Sequence, residues 1–79
     1  MTVLLENNVI HLGGNCPVED AEPLCSLLQA DSTRPVDLSQ AGTLHTAVVQ
    51  ALIFMAPSIR GSPSDRFARD WIVTYLGRA

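Results

Sequence analysis

The chain has 79 residues, enough for one domain, and it is 47% hydrophobic but only 5% aromatic, so its core must consist mainly of aliphatic side chains. Eight acidic residues against five basic ones give a net charge of −3, and an acidic chain without a basic stripe is a poor candidate for nucleic-acid binding. The sequence opens without a charged leader and contains no apolar run of about 18 residues. We therefore expect one cytoplasmic domain over residues 1–79 that does not insert into a membrane.

The first two predicted elements form a hairpin. Residues 2–6 and 9–12 are short β-prone runs, and the Asn7-Asn8 pair between them tolerates the positive φ angles of a two-residue turn. Residues 13–15 then break the second strand.

A helix is predicted next, with Pro17 in its first turn and apolar residues at three- and four-residue steps as far as Leu28. Pro23 falls inside this pattern, where a proline removes a hydrogen bond and can kink the axis. Cys16 and Cys25 lie in the loop and the helix, and we interpret both as reduced thiols.

A turn over residues 31–35 leads into a short strand at residues 36–38 and a loop at residues 39–43. Residues 44–56 are the most apolar stretch of the chain. Their spacing predicts a helix that is covered on much of its circumference and ends before Pro57.

The last part of the chain predicts a short strand at residues 58–61 and a closing helix capped by Ser62 and ended by Gly77. Phe67, Trp71 and Tyr75 recur at four-residue steps on this helix, which is typical of a core-facing stripe. If the sheet leaves the stripe partly exposed, it would instead form a partner-binding surface. The order of the elements predicts an α/β fold: a small mixed sheet of about four strands, beginning with the hairpin and covered by three helices.

Three segments resemble a known family signature. Residues 36–39 read Val-Asp-Leu-Ser, and after four more residues a helical run begins at Leu44 and continues to Leu52; Leu12-Gly13-Gly14 closes the hairpin upstream. Together they resemble the STAS domain, in which a strand ending in Asp-Leu-Ser precedes a loop and an Asp-Ser/Thr pair that opens a helix. The resemblance implies the same small α/β fold.

Within this resemblance, Thr46 takes the position of the Ser or Thr that is phosphorylated in anti-sigma-factor antagonists, and His45 takes the position of the preceding Asp. This implies docking on an anti-sigma kinase, with phosphorylation of Thr46 breaking the contact through added charge. The Thr46-Ala47 pair is also similar to small STAS subunits that bind the ATPase of lipid-transport ABC systems, which implies constitutive binding. Both readings stay open.

We therefore predict a non-catalytic protein-interaction module that acts as a regulator and needs no metal or cofactor. The partner would be an anti-sigma or two-component kinase-like protein, or an ABC-transporter ATPase. A homodimer through Ile53 and Phe54 is a further option. The predicted docking surface comprises Ser39, Gln40, Ala41, Gly42, Thr43, His45, Thr46 and Val49.

Two alternatives compete with this prediction. Thr46 could simply cap its helix, as threonine often does at helix starts. A small ligand-binding or enzymatic domain would instead need a pocket that brings Asp37, His45 and Thr46 together at the end of the third predicted strand. The spacing of the His and Cys residues matches no metal-binding motif.

Overall fold

Residues 2–76 are described in a computed structural model, and they alternate strands with helices in the predicted order. Two short strands are additional to the prediction. The elements are β1 Val3–Glu6, β2 Val9–Leu12, β3 Gly14–Cys16, α1 Ala21–Ala30, β4 Val36–Asp37, β5 Ala41–Leu44, α2 Thr46–Met55, β6 Ile59–Arg60 and α3 Arg66–Leu76. The predicted helix end at Gly77 and the side chain of Tyr75 lie outside the described part.

The main sheet has four strands in the order β1-β2-β4-β6. Strands β1 and β2 are antiparallel, β4 pairs with β2 in parallel, and β6 pairs with β4 in parallel. Asn7 and Asn8 have φ angles of 53° and 62°, so they form the predicted hairpin turn. The predicted α/β fold, a small mixed sheet with an opening hairpin and three helices, is therefore confirmed.

A second, two-stranded sheet joins β3 and β5 in parallel. Its bonds include Gly14 N–H to the Gln40 carbonyl and His45 N–H to the Cys16 carbonyl, both 2.9 Å. Residues 39–43 were predicted as loop, and that prediction is wrong from residue 41 onward. Because β5 continues to Leu44, α2 begins at Thr46, two residues later than its apolar pattern predicts.

Prolines and caps set the helix ends. Pro23 is the third residue of α1, where an N–H has no intrahelical partner, so the expected kink has no cause. Helix α3 begins at Arg66, and the Asp65 carboxylate accepts a hydrogen bond from Phe67 N–H (3.1 Å). The predicted cap at Ser62 is wrong, because the neighbouring Ser64 binds the β5 main chain instead of entering the helix.

The core lies on one face of the main sheet, where aliphatic side chains of the strands meet one face of each helix. Helix α2 contacts both α1 and α3, and α1 contacts β1, so the helices lie side by side across the sheet. The side chains that are completely inaccessible are Ile10, Leu12, Leu24, Val36, Leu38, Val48, Leu52, Ala68 and Ile72. This aliphatic core is the one that the composition predicts.

The other face of the sheet is open to solvent. The strand register aligns Leu4, His11, Asp37 and Arg60 in one row across it, and all four are partly or fully exposed. Among residues 2–76, no helix is both long and apolar enough to cross a membrane.

Candidate functional site

The predicted docking surface is built around the first turn of α2. Strand β5 delivers the chain to His45, whose Nδ1 accepts a hydrogen bond from Ala47 N–H at 3.0 Å. His45 is therefore the N-cap of α2. Thr46 becomes the first helical residue, and its side chain is exposed. The hypothesis that Thr46 itself caps the helix is wrong, because His45 occupies that position.

A shallow groove lies between α2 and α3, next to this turn. It has a volume of about 200 Å³ and is lined by Thr46, Val49, Gln50, Phe67 and Trp71. Val49 is only 2% exposed and forms the floor, while Thr46 and Gln50 lie on the solvent side of α2. The groove therefore joins an exposed hydroxyl to an apolar floor.

An aromatic pair forms the α3 side of the groove. The ring centroids of Phe67 and Trp71 are 5.7 Å apart with an interplanar angle of 52°, a tilted arrangement that aromatic pairs favour. Phe67 is 49% exposed, whereas Trp71 is partly buried against the core.

The prediction that these aromatic residues form the core stripe of α3 is therefore wrong for Phe67. The buried stripe is Ala68 and Ile72, one position further along the helix. Both stripes repeat every four residues, so periodicity alone cannot decide between them.

The predicted docking residues differ in accessibility. Ser39, Gln40, Thr43, His45 and Thr46 are exposed and Gly42 is half-buried. Ala41 and Val49 are buried, so they support the surface from below and do not form its outer face.

Asn15 holds the strand that precedes α2. Its side-chain oxygen accepts a hydrogen bond from Thr43 N–H at 3.1 Å. A Cβ atom on Gly42 would lie only 2.8 Å from the same oxygen, so a larger residue at this position would displace the Asn15 side chain. The sequence pattern gave no reason to single out Asn15, because its partner lies on the distant β5.

The side chain of Asp37 has its own set of contacts. Its carboxylate accepts a hydrogen bond from Ser39 N–H at 2.9 Å and lies 3.5 Å from Nδ1 of His11. The hydrogen bonds from Ser39, first from its main-chain N–H, lower the pKa of Asp37 below its usual value, and the charges of His11 and Arg60 add to this effect. The described contacts therefore tie Asp37 to His11, whereas His45 is tied to Ala47.

Both cysteines belong to the hydrophobic core or pack against it. Cys16 is buried, and burial followed by the nearby charge of Asp20 raises the pKa of its thiol to about 11. Cys25 is half-buried against the core, and neither forms a disulfide. Within residues 2–76, no cluster of three or more His, Cys, Asp or Glu side chains is arranged to hold a metal ion.

Gln50 is a groove residue that the sequence analysis did not single out, whereas Phe67 and Trp71 were considered there as a possible partner-binding face. Gln50 lies four residues after Thr46, so the helical period offered a signal for it. The exposure of Phe67 in the groove depends on how α3 packs against α2, and no local sequence signal reports that packing. Comparisons with protein-family models, with curated proteins and with solved structures found no match to this chain.

Proposed function

We propose that this chain is a non-catalytic protein-interaction module of the STAS type, which regulates a kinase-like partner of the anti-sigma or two-component class. The partner docks on the first turn of α2 and on the groove between α2 and α3. One observation carries the proposal: Thr46 is exposed beside an apolar groove while His45 caps the helix in its place. The threonine hydroxyl is thus available to a partner or to a modifying enzyme.

The dimensions of the groove favour a protein partner over a small ligand. Pockets for drug-sized ligands measure about 300–1,000 Å³ and enclose most of the ligand. A groove of about 200 Å³ can take one or two side chains of a docked protein. Trp71 at its wall belongs to a residue type that is enriched at the energetic centres of protein interfaces.

Phosphorylation of Thr46 would act locally. A phosphate adds about −1.5 to −2 charges at neutral pH, and near a helix N-terminus this charge is favourable to the helix. The same charge would lie beside Val49 and the aromatic wall, where a docked apolar side chain would have to displace its water. We therefore expect modification to weaken docking without unfolding α2.

An ABC-transporter ATPase is the second candidate partner, because Thr46-Ala47 resembles the pair in small STAS subunits. Such a partner would use the same surface constitutively. The two candidates differ in whether Thr46 is ever modified and in the class of protein retained.

The test is an affinity capture from the native host with the wild-type protein, Thr46→Glu and Phe67→Ala, read by quantitative mass spectrometry. Ser32→Glu is the matched control, since it adds the same charge at an exposed residue of a turn that is remote in sequence from α2. The captured protein is then purified, and its affinity is measured for each variant. The Thr46 peptide of the native protein is examined for phosphate in the same samples.

We expect a kinase-like protein that binds the wild type and Ser32→Glu equally, and that binds Thr46→Glu and Phe67→Ala at least about tenfold more weakly. Retention of an ATPase, with unmodified Thr46, would decide for the second candidate. Equal binding to all four proteins would place the interface elsewhere and refute the proposal.

A further inference from the structure

A second groove, the β1–α1 groove, lies between helix α1 and strand β1 at one edge of the main sheet. It has a volume of about 500 Å³ and is open to solvent. Its lining is mostly apolar and consists of Val3, Leu4, Leu5, Pro23, Ser26 and Leu27. Val3 is only 3% exposed and forms the floor, whereas Leu4 and Leu5 are 55% and 38% exposed.

The β1–α1 groove offers side chains, and not main-chain groups, to a partner. Val3 is already covered, and the Thr2 hydroxyl next to it donates a hydrogen bond to the Asp20 carboxylate. A strand could not pair along the whole of β1 without disturbing these contacts. An amphipathic helix needs no main-chain groups of β1, because it docks by inserting side chains into a groove.

The part of the chain that builds this groove is acidic. Residues 1–33 contain five acidic side chains and no Lys or Arg, which gives a formal charge of −5. Residues 34–79 contain three acidic side chains and five Arg, which gives +2, and the two values add to the net charge of −3. Because β1 and α1 both belong to the first part, the groove lies in the negative part of a polarised chain.

Two exposed carboxylates adjoin the lining of the groove. Glu6 follows Leu5 at the end of β1. Glu22 lies on α1 four residues before Ser26, so these two residues share one face of the helix. Asp20 adds a third negative charge directly before α1. An apolar surface with such a border is complementary to a segment that is apolar on one face and basic beside it.

One arginine lies at the end of the groove, and it is engaged within the chain. Arg34 Nη1 donates to the Leu27 carbonyl at 2.8 Å, and its Nε donates to Oδ1 of Asn8 at 3.1 Å. Among residues 2–76, no Lys or Arg side chain forms an ion pair with Glu6 or Glu22. The charges of both carboxylates are therefore available to a partner.

We propose that the β1–α1 groove is a second docking surface and that its occupant is a basic amphipathic helix of another protein. Apolar side chains of that helix, at three- and four-residue steps, enter the groove, while Lys or Arg residues on its flanks face Glu6 and Glu22. The acidic border disfavours the other occupants of an apolar surface. It repels an anionic membrane, and two copies that met through this groove would oppose their acidic borders.

The test titrates the isotope-labelled full chain with two synthetic peptides of about 18 residues, long enough to form a helix. Both peptides carry Leu at three- and four-residue steps on one face. The remaining positions are Lys in one peptide and Glu in the other. Backbone amide shifts in NMR spectra give the dissociation constant and identify the residues that are contacted.

Two pairs of variants separate this surface from general effects of charge and hydrophobicity. Glu22→Lys reverses a charge beside the groove, and Asp70→Lys makes the same reversal at an exposed position of α3. Leu4→Ser removes an apolar side chain of the groove, and Phe54→Ser removes one that is 86% exposed on α2. Asp70 and Phe54 line neither groove. Circular dichroism verifies that each variant is folded.

We expect the Lys peptide to bind the wild-type chain saturably, with the largest amide shifts in β1 and α1. The Glu peptide should bind at least about tenfold more weakly, because its charges oppose the acidic border. Glu22→Lys and Leu4→Ser should each weaken binding of the Lys peptide at least about threefold, while the two control variants stay within about twofold of the wild type. Added salt should weaken binding of the Lys peptide, because it screens exposed charges.

Absence of saturable binding, or equal binding of both peptides, would overturn the proposal. Largest shifts in the groove between α2 and α3 would also overturn it, because the basic helix would then recognise a different surface. An equal loss of affinity with Glu22→Lys and Asp70→Lys would mean that only the net charge matters, and it would refute the proposal as well.

Two controls without peptide identify the rival occupants. Concentration-dependent shifts of β1 and α1 in the chain alone would make a second copy the occupant. Sedimentation of the chain with vesicles of phosphatidylcholine and phosphatidylglycerol would make it a membrane. Either result would overturn the proposal. The proposed docking of a kinase-like partner is tested separately, because Thr46 and Phe67 line the other groove.

Discussion

The orientation of α3 decides whether the groove exists, and two alanine substitutions on that helix test it. Ile72 is fully inaccessible, so Ile72→Ala removes buried methylene and methyl groups and leaves a cavity, at a cost of about 2–5 kcal/mol. Phe67 is 49% exposed, so Phe67→Ala forfeits about half of the ~2 kcal/mol that full burial of its ring would contribute, together with part of its contact with Trp71. We therefore expect Ile72→Ala to be the more destabilising change by at least about 1 kcal/mol.

A difference of about 1 kcal/mol in the free energy of unfolding is large for a chain of this size. Total stabilities of about 0.05–0.15 kcal/mol per residue correspond to only about 4–12 kcal/mol here. Because 1 kcal/mol shifts the melting temperature of such a domain by about 4–8 °C, Ile72→Ala should lower it by more than about 8 °C. Urea unfolding and thermal melts followed by circular dichroism measure both variants. If Phe67→Ala costs as much as Ile72→Ala, then Phe67 belongs to the core, and the groove described here is closed.

Three further changes test the support of the site. His45→Ala should destabilise the protein by about 1 kcal/mol in urea unfolding by removing the cap of α2, and His45→Asp, another capping residue, should retain most of the stability. Because hydrogen bonds from Ser39 lower the pKa of Asp37 below its unfolded value, their stabilisation is complete above about pH 4 and is lost as the pH falls through the folded pKa. In the Asp37→Asn variant, the free energy of unfolding should therefore fall less steeply at acidic pH than in the wild type. An unchanged pH dependence would refute this explanation. Gly42→Ala should displace the Asn15 side chain and cost about 1 kcal/mol through the lost hydrogen bond from Thr43 N–H, and it should cost less in an Asn15→Ala background, as a double-mutant cycle would show.

Sequence reasoning worked where a local signal was strong and unopposed. The Asn7-Asn8 turn predicts the hairpin because few other residues accept two successive positive φ angles. The apolar run after residue 44 predicts α2, because a helix with so many apolar residues must be buried on most sides. Both elements follow from interactions between residues that are close in the chain.

Sequence reasoning failed where the interacting residues are distant in the chain, or where two sequence signals for the same feature overlap. Strand β3 consists of Gly14, Asn15 and Cys16, and two of these residue types are poor strand formers. Its pairing with β5 depends on a parallel partner that no local pattern reveals. At α3, Ser62 and Asp65 both resemble caps, and only the tertiary bond of Ser64 to β5 selects Asp65.

The candidate site, like the fold, could be predicted from the sequence only in part. The resemblance at residues 36–46 predicts a docking surface around Thr46, which stays a prediction; the structure places Thr46 as the exposed first residue of α2. The groove beside it could not be predicted, because it depends on the angle at which α3 meets α2. A one-position error in the buried stripe of α3 moves Phe67 from the core to a wall that a partner can reach.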